Sequence, residues 1–99
     1  MFLEWSVLAL ADRQAIFDYI KADSPRAAIA VDHRIEVCTK TLAQFPEVGR
    51  TGRIDGTREL VINRTPYIAA YRIFGGRVRI LRVLHGAQQW PDEITEDSN

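Results

Sequence analysis

Arginine is concentrated in the second half of this 99-residue chain, and no other residue type there has such clear chemistry. Residues 49–90 contain eight arginines and two acidic residues, Asp55 and Glu59, so this stretch carries a formal charge of 8 − 2 = +6. The planar guanidinium group donates paired hydrogen bonds to phosphate or carboxylate groups. The composition therefore predicts a basic surface that meets an anionic partner, either nucleic acid or an acidic protein segment.

The sequence carries no motif for a metal or a nucleotide cofactor. Two histidines and one cysteine, with no CxxC or HExxH spacing, predict no metal site, and no glycine-rich phosphate loop is present. The single cysteine, Cys38, has no partner for an internal disulfide, which is typical of a reducing cytoplasm. No apolar run approaches the ~18 residues that cross a bilayer, and the first residues lack the basic start of a signal peptide. We expect a cytoplasmic protein with no cofactor and no membrane partner.

The hydrophobic periodicity predicts an α+β domain. A short strand over 2–6 precedes two helices, over 8–22 and about 25–44, which form an antiparallel hairpin around Ser24-Pro25. A glycine-rich loop over 45–56 leads into strands over 58–62, 67–74 and 77–85, the last two joined at Gly75-Gly76. The helical hairpin is expected to pack on a small, mostly antiparallel sheet. Residues 1–91 are predicted to form one domain, and residues 92–99 a flexible acidic tail.

A two-residue turn at Gly75-Gly76 sets the expected register of the last hairpin. It places Arg72 opposite Arg79, an unfavourable pair of like charges that Glu59, a bound anion or a partner's carboxylate is expected to relieve. It also places Arg82 opposite Ala69, on the core face with Leu84 and near a sheet edge. The opposite face is predicted to mix arginines with aliphatic residues and to be covered by another chain. Its expected members are Ile68, Ala70, Arg72, Phe74, Arg77, Arg79, Leu81 and Val83.

Several short motifs together resemble the RelE/ParE superfamily of bacterial toxins over about residues 2–91. They are Asp23-Ser24-Pro25, Gly56-Thr57-Arg58-Glu59-Leu60, Thr65-Pro66-Tyr67, Tyr71-Arg72 and the run from Ile80 through His85-Gly86 to Trp90-Pro91. The resemblance implies a toxin of a type II toxin–antitoxin system, neutralised by a small cognate antitoxin. It also implies that the toxin meets operator DNA only through that antitoxin.

The superfamily has two branches with different targets. RelE-like members are ribosome-dependent mRNA endonucleases that use no metal, whereas ParE-like members inhibit DNA gyrase. RNA cleavage needs an acid–base group and cations around the phosphorane. His85 is the acid–base candidate here, and the candidate cations are Arg58, Arg72, Arg79 and Arg82. Nuclease members usually carry an arginine near the position of Ile68 and a basic C-terminus with a tyrosine, and this sequence has neither.

These departures favour the ParE-like branch, with the RelE-like nuclease as the alternative. A second alternative is a small nucleic-acid- or protein-binding module, although the predicted outer face offers only Phe74 for base stacking. For either toxin, the residues expected to contact the target or the antitoxin are Arg58, Arg72, Phe74, Arg77, Arg79, Leu81, Arg82 and Trp90.

Overall fold

The computed structural model describes residues 1–94, which form one five-stranded sheet and a helical hairpin. In chain order the elements are β1 (Phe2–Trp5), α1 (Val7–Lys21), α2 (Pro25–Lys40), a 3₁₀ turn (Thr41–Ala43), β2 (Arg50–Thr51), β3 (Arg58–Val61), β4 (Tyr67–Phe74) and β5 (Arg77–His85). The sheet order is β1-β5-β4-β3-β2. Only the β1–β5 pair is parallel, so the predicted α+β class with a mostly antiparallel sheet is confirmed.

Serine residues cap the starts of both helices. The cap at Ser24 was predicted, whereas Ser6 was assigned to the first strand and instead caps a first helix that begins at Val7. The Ser6 hydroxyl accepts a hydrogen bond from the Ala9 backbone N–H (3.0 Å), and the Ser24 hydroxyl accepts one from Ala27 (3.1 Å), with Pro25 at the first helical position. The second helix is shorter than predicted. It ends at Lys40, where the chain tightens into the 3₁₀ turn. The predicted loop over 45–56 likewise contains the two residues of β2, paired with Glu59 and Arg58.

The core lies between the helical hairpin and one face of the sheet. Tyr71, at 0% exposure, is the largest completely buried side chain in it. The other buried members of the cluster are Ala9, Ile35, Leu42, Ile62, Tyr67, Ala69, Val78, Ile80 and Val83. Leu3 and Trp5 of the edge strand β1 pack against this core. Ile16 and Ile20 pack against it from α1.

The hairpin register agrees with the prediction only as far as Tyr71. Gly75 and Gly76 both have positive φ (55° and 76°), as a two-residue hairpin turn requires, and Arg72 does face Arg79. A bulge then shifts the register, because Tyr71 pairs with Ile80 whereas Ala70 pairs with Arg82. Leu81 is the extra residue. The prediction that Arg82 and Leu84 lie on the core face was therefore wrong: Arg82 shares the face of Ala70, and Val83 enters the core.

No helix within residues 1–94 is long and apolar enough to cross a membrane.

Candidate functional site

Glu4 of β1 neutralises the like charges at the centre of the outer sheet face. Its carboxylate accepts hydrogen bonds from Arg79 (2.8 Å) and Arg77 (3.3 Å), and β1–β5 pairing places Glu4 directly beside Arg79. The hydrogen bond from Arg79 is the main reason that the pKa of Glu4 lies below its ordinary value. We expected Glu59 to relieve the Arg72–Arg79 pair, but the structure assigns this role to Glu4. Arg79 is only 11% exposed in its side chain, so it is poorly placed to contact a partner.

Arg82 is bound to Asp12 of α1 at the edge of the sheet. Its guanidinium donates two hydrogen bonds to that carboxylate, at 2.7 and 3.0 Å, and the pair raises the pKa of Arg82. The Val83 backbone N–H also donates to Asp12 (3.0 Å). Asp12 therefore accepts a hydrogen bond from a backbone N–H of β5 in the part of that strand that does not pair with β1. Because Arg82 binds the same carboxylate, its role is structural.

The Asp12–Arg82 pair is expected to show strong coupling in a double-mutant cycle. Asp12→Ala and Arg82→Ala should each lower the free energy of unfolding, and the coupling energy should be about 1–3 kcal/mol because both groups are partly buried and share two hydrogen bonds. Urea unfolding of the two single variants and the double variant measures this value. The exposed i,i+4 pair Glu36–Lys40 is the control and should couple weakly. Equal coupling in both pairs would contradict the structural role of Arg82.

Leu81 lies inside the protein rather than on its surface. It is 1% exposed, and the Ser6 hydroxyl donates a hydrogen bond to its carbonyl oxygen (2.9 Å). Ile68, Ala70 and Val83, predicted to lie on the outer face with it, are also at least 94% buried. The sequence predicted an apolar outer surface that another chain covers. This was wrong at these four positions, because this chain buries them itself.

Arg58 and Tyr71 hold the connection between the helices and the sheet. The Tyr71 hydroxyl donates to the Pro46 carbonyl (2.7 Å) and accepts from the Gly49 backbone N–H (3.0 Å). Arg58 donates to the Gly49 carbonyl (2.8 Å) and more weakly to that of Glu47 (3.3 Å). Burial raises the pKa of Tyr71, so its hydroxyl stays protonated and can donate.

Glu59 organises the loop between β2 and β3. It is 3% exposed and accepts hydrogen bonds from the side chains of Arg50 (2.9 Å) and Arg53 (3.0 Å) and from the Arg53 backbone N–H (2.8 Å). Burial alone would raise the pKa of Glu59, but the bonds from Arg53 and Arg50 outweigh it, and the pKa lies below its ordinary value. Arg50 and Arg53, which the sequence did not single out as candidate site residues, thus share the buried carboxylate of Glu59.

Trp90 and His85 fasten the start of the C-terminal segment, residues 86–94. The Trp90 ring lies 3.8 Å from the Arg53 guanidinium carbon, and its indole N–H donates to the His85 carbonyl (3.0 Å). The His85 Nδ1 accepts from the Ala87 backbone N–H (3.0 Å), and its ring meets Tyr67 edge-on at 5.7 Å. His85 therefore acts as a turn residue in this arrangement.

Arg72, Phe74 and Arg77 are the predicted contact residues that remain at least partly accessible on the outer face. Phe74 is 40% exposed and Arg77 stacks near it, next to Phe2, which is 66% exposed. Arg72 donates to the Gly56 carbonyl (3.3 Å). Together with Arg58 it lines a cavity of about 280 Å³, here named the Arg58–Arg72 cleft, whose other walls are Thr51, Gly56, Thr57, Tyr71 and Ile73.

The proposed catalytic arginines have different partners. Arg79 and Arg82 bind Glu4 and Asp12 on the β1 side of the sheet. Arg72 faces Arg79 across β4–β5 and also lines the cleft beside β3 with Arg58. Sequence reasoning missed Glu4, Asp12, Arg50 and Arg53. For Glu4 and Asp12 the signal was the excess of acids in the first half of the chain, whose carboxylates pair with arginines 70 or more residues away. Residues 1–94 hold no group of three or more metal-ligating side chains.

The chain is similar in sequence to bacterial proteins that are named as toxins. Over 92 residues the chain is 46% identical to a putative toxin, Y4kP, of Sinorhizobium fredii, covering 93% of this chain and 95% of the relative. It is 40% identical over 84 residues to the toxin RelE2 of Caulobacter vibrioides, covering 85% and 93% respectively.

Two solved structures share the fold. A chain of the chromosomal ParDE toxin–antitoxin system from P. aeruginosa superposes with a TM-score of 0.75 at 32% identity, covering 84% of this chain and 92% of that one. A chain of the toxin–antitoxin complex RelBE2 from Mycobacterium tuberculosis gives 0.58 at 27% identity, covering 88% and 92%. The family model for the ParE toxin of the type II toxin–antitoxin system parDE matches residues 3–90. This chain therefore belongs to the ParE toxin family, within the RelE/ParE superfamily of type II toxin–antitoxin toxins.

Proposed function

We propose that this protein stops bacterial growth by inhibiting DNA gyrase in the cytoplasm and that a small cognate antitoxin neutralises it. The observation that carries the proposal is the match of the ParE family model over residues 3–90. The better superposition on the ParDE chain (TM-score 0.75) than on the RelBE2 chain (0.58) supports the same branch.

The geometry of the predicted catalytic residues also favours a binding toxin over a nuclease. Of the candidate cations, Arg79 and Arg82 are neutralised by carboxylates, and Arg58 donates to two backbone carbonyls. One imidazole nitrogen of His85 is occupied by the Ala87 N–H. A nuclease needs a free acid–base group next to cations that are available to one phosphate. The engagement of these side chains within the chain supports a binding toxin instead.

The surface that we assign to the target is the accessible part of the outer face, formed by Arg72 with Phe74 and Arg77 at the hairpin end, together with the adjoining Arg58–Arg72 cleft. Arginine and aromatic side chains dominate the energetics of protein interfaces. The ParDE and RelBE2 structures are toxin–antitoxin systems, which supports an antitoxin as the second partner of this chain. We propose that operator DNA is bound only through that antitoxin.

The order in which synthesis stops in cells tests the target. After induction of the chain alone, incorporation of thymidine should fall before that of amino acids, and the cells should elongate, because gyrase inhibition blocks replication first. A purified chain should also inhibit supercoiling of relaxed plasmid by gyrase. Loss of amino-acid incorporation first, with cleavage of mRNA on ribosomes, would contradict the proposal.

Single substitutions locate the contact surface. Arg72→Ala is expected to weaken inhibition of supercoiling about tenfold or more, because an arginine at the centre of an interface commonly contributes a factor of that size. Arg26 is an exposed arginine on α2, outside the sheet. Arg26→Ala therefore removes the same charge at a different place and should leave inhibition unchanged. If both variants lost inhibition equally, the effect would reflect net charge and the assignment of this face would be wrong.

A RelE-like mRNA endonuclease is the second candidate. The specific observation in its favour is the name of two relatives from Caulobacter vibrioides, the toxins RelE2 and RelE1, which are 40% and 30% identical to this chain. Under that function, Arg58 and Arg72 would contact the phosphate, because they line the same cleft.

A further inference from the structure

Strand β4 has an open edge beside the Arg58–Arg72 cleft. Pairing between β3 and β4 begins at Arg58 opposite Tyr71, whereas β4 continues to Phe74. Among residues 1–94, positions 72–74 of β4 therefore have β5 on one side and no strand on the other. Ile73, at the centre of this stretch, is one wall of the cleft. The cleft thus lies against a length of strand that a further strand can extend.

The backbone groups of Ile73 point toward this open edge. Successive residues of a strand direct their N–H and C=O groups to alternate sides. The Tyr67 carbonyl accepts a hydrogen bond from the Ile62 N–H on the β3 side (3.0 Å). Tyr71 and Ile73 follow Tyr67 by four and six residues, so they face the same side. Tyr71 pairs there with Arg58, and Ile73 lies beyond the end of that pairing.

Strand β5 does not satisfy these groups, because its residue opposite Ile73 faces the other way. That residue is Val78. The Ile80 carbonyl accepts a hydrogen bond from the Ser6 N–H on the β1 side (2.9 Å), and Val78, two residues earlier, shares that direction. Within residues 1–94, neither the N–H nor the C=O of Ile73 has a hydrogen-bond partner. Ile73 therefore offers one donor and one acceptor at a strand edge.

Guanidinium groups flank this edge on both faces of the sheet. Arg58 lies opposite Tyr71 and shares its face, which carries the helices, whereas Arg72 lies on the other face. The Nη1 of Arg58 donates to the Gly49 carbonyl, and its other nitrogens have no acceptor within residues 1–94. Of the described residues that line the cleft, none is acidic. The open edge therefore lies in a basic environment.

We propose that the Arg58–Arg72 cleft binds an extended acidic segment of a partner protein by strand addition at Ile73. One residue of the segment exchanges two backbone hydrogen bonds with Ile73. Side chains of an extended segment alternate between the two faces of the sheet, so a carboxylate on the helix face meets Arg58. This inference rests on the proposed function, because it names the kind of ligand that the target-binding surface takes.

The pair of backbone groups at Ile73 distinguishes a peptide from a simple anion. A carboxylate or a nucleic-acid phosphodiester accepts hydrogen bonds but donates none, so it leaves the Ile73 carbonyl without a partner. A peptide in the extended conformation supplies a donor and an acceptor at the spacing of a strand. Acidic side chains add the attraction between carboxylate and guanidinium groups. The site therefore fits an acidic peptide better than a phosphate.

Amide hydrogen exchange tests whether the edge is open in the protein without a partner. In the full-length protein, the Ile73 amide should exchange at least about tenfold faster than the amides of Tyr71 and Arg72, because those two lie in the ladders with β3 and β5. Nuclear magnetic resonance of the ¹⁵N-labelled chain resolves the three rates. Equal protection at all three positions would overturn the proposal.

A synthetic peptide tests the ligand. The probe is acetyl-Thr-Val-Glu-Glu-Val-Thr-amide, which should bind and slow exchange of the Ile73 amide about fivefold or more. Two analogues should bind about tenfold more weakly. In one, both glutamates are glutamines, and in the other the four central residues are N-methylated, which removes their backbone donors. If either analogue bound as tightly as the probe, the inference would be wrong.

Two further controls separate the peptide site from general attraction to positive charge. Arg58→Gln should weaken binding of the probe about tenfold, whereas Arg26→Gln, at an exposed position on α2, should leave it unchanged. Because Arg58 also holds Gly49, the peptide analogues remain the test if Arg58→Gln does not fold. Inorganic phosphate or oligouridylate that protected Ile73 as well as the probe would indicate an anion site and contradict strand addition.

These measurements contain no gyrase, so the inference and the proposed target can fail separately. Binding of the probe by a chain that does not inhibit supercoiling would remove gyrase as the target and leave the peptide site. Inhibition of supercoiling by a chain whose Ile73 amide ignores the probe would support the target and remove strand addition.

Discussion

Replacing Tyr71 with alanine is expected to lower the free energy of unfolding by about 3–5 kcal/mol, the usual range for a fully buried aromatic side chain. Tyr71 is the largest side chain in the core with no exposed surface. Tyr71→Phe keeps the ring and should cost about 1–3 kcal/mol, because it leaves the Pro46 carbonyl and the Gly49 N–H without their shared partner. Urea unfolding followed by circular dichroism measures both values.

Tyr19 provides the matched control for this prediction. It lies on α1 with 79% of its surface exposed, so Tyr19→Phe should change the free energy of unfolding by less than about 0.5 kcal/mol. If Tyr71→Phe behaved like Tyr19→Phe, the hydroxyl would not be the group that ties the 46–49 segment to the sheet.

Replacing Glu59 with glutamine is expected to cost about 1.5–3 kcal/mol, the usual contribution of hydrogen bonds to a charged group. The substitution keeps the size of the side chain but removes the charge that Arg50 and Arg53 share inside the β2–β3 loop. It should also loosen Trp90, since Arg53 holds that ring, and so change the intrinsic tryptophan fluorescence. Glu47→Gln, at an exposed position in the preceding segment, should have neither effect.

The same carboxylate predicts how stability depends on pH. The pKa of Glu59 in the folded protein lies below its ordinary value of 4.5, so its contribution is fully present above that value and is lost as the pH falls through the folded pKa. The free energy of unfolding should therefore decline on acidification below about pH 4.5. The Glu59→Gln variant should decline less steeply. A residual decline is expected from Glu4 and Glu36, whose pKa values are also lowered by arginine and lysine partners.

The structure describes only part of the predicted acidic tail. Residues 92–99 were predicted to be a flexible tail outside the domain, because four acidic residues in eight are typical of a solvated segment. Residues 92–94 line a cavity with Ile54 and Arg72. Residues 95–99 lie outside the described part of the chain, so the tail stays a prediction.

The sequence by itself determined the elements whose causes are local. Serine followed by an apolar periodic run started both helices, and Gly75-Gly76 produced a turn with two positive φ angles and the first four residue pairs of the hairpin. Those signals act within a few residues, so they can be read without knowing what lies across the fold. The superfamily resemblance rested on the same short motifs and was confirmed.

Only the tertiary structure decided which arginines are accessible. The run Ile80-Leu81-Arg82-Val83-Leu84 does not alternate between apolar and polar residues. The sequence therefore could not show that a bulge at Leu81 moves Arg82 to the other face of the sheet. The carboxylates that bind Arg79 and Arg82 come from Glu4 and Asp12, 75 and 70 residues away. A charged side chain is free or neutralised according to its neighbours in space, and parallel pairing of β1 with β5 brings those neighbours together.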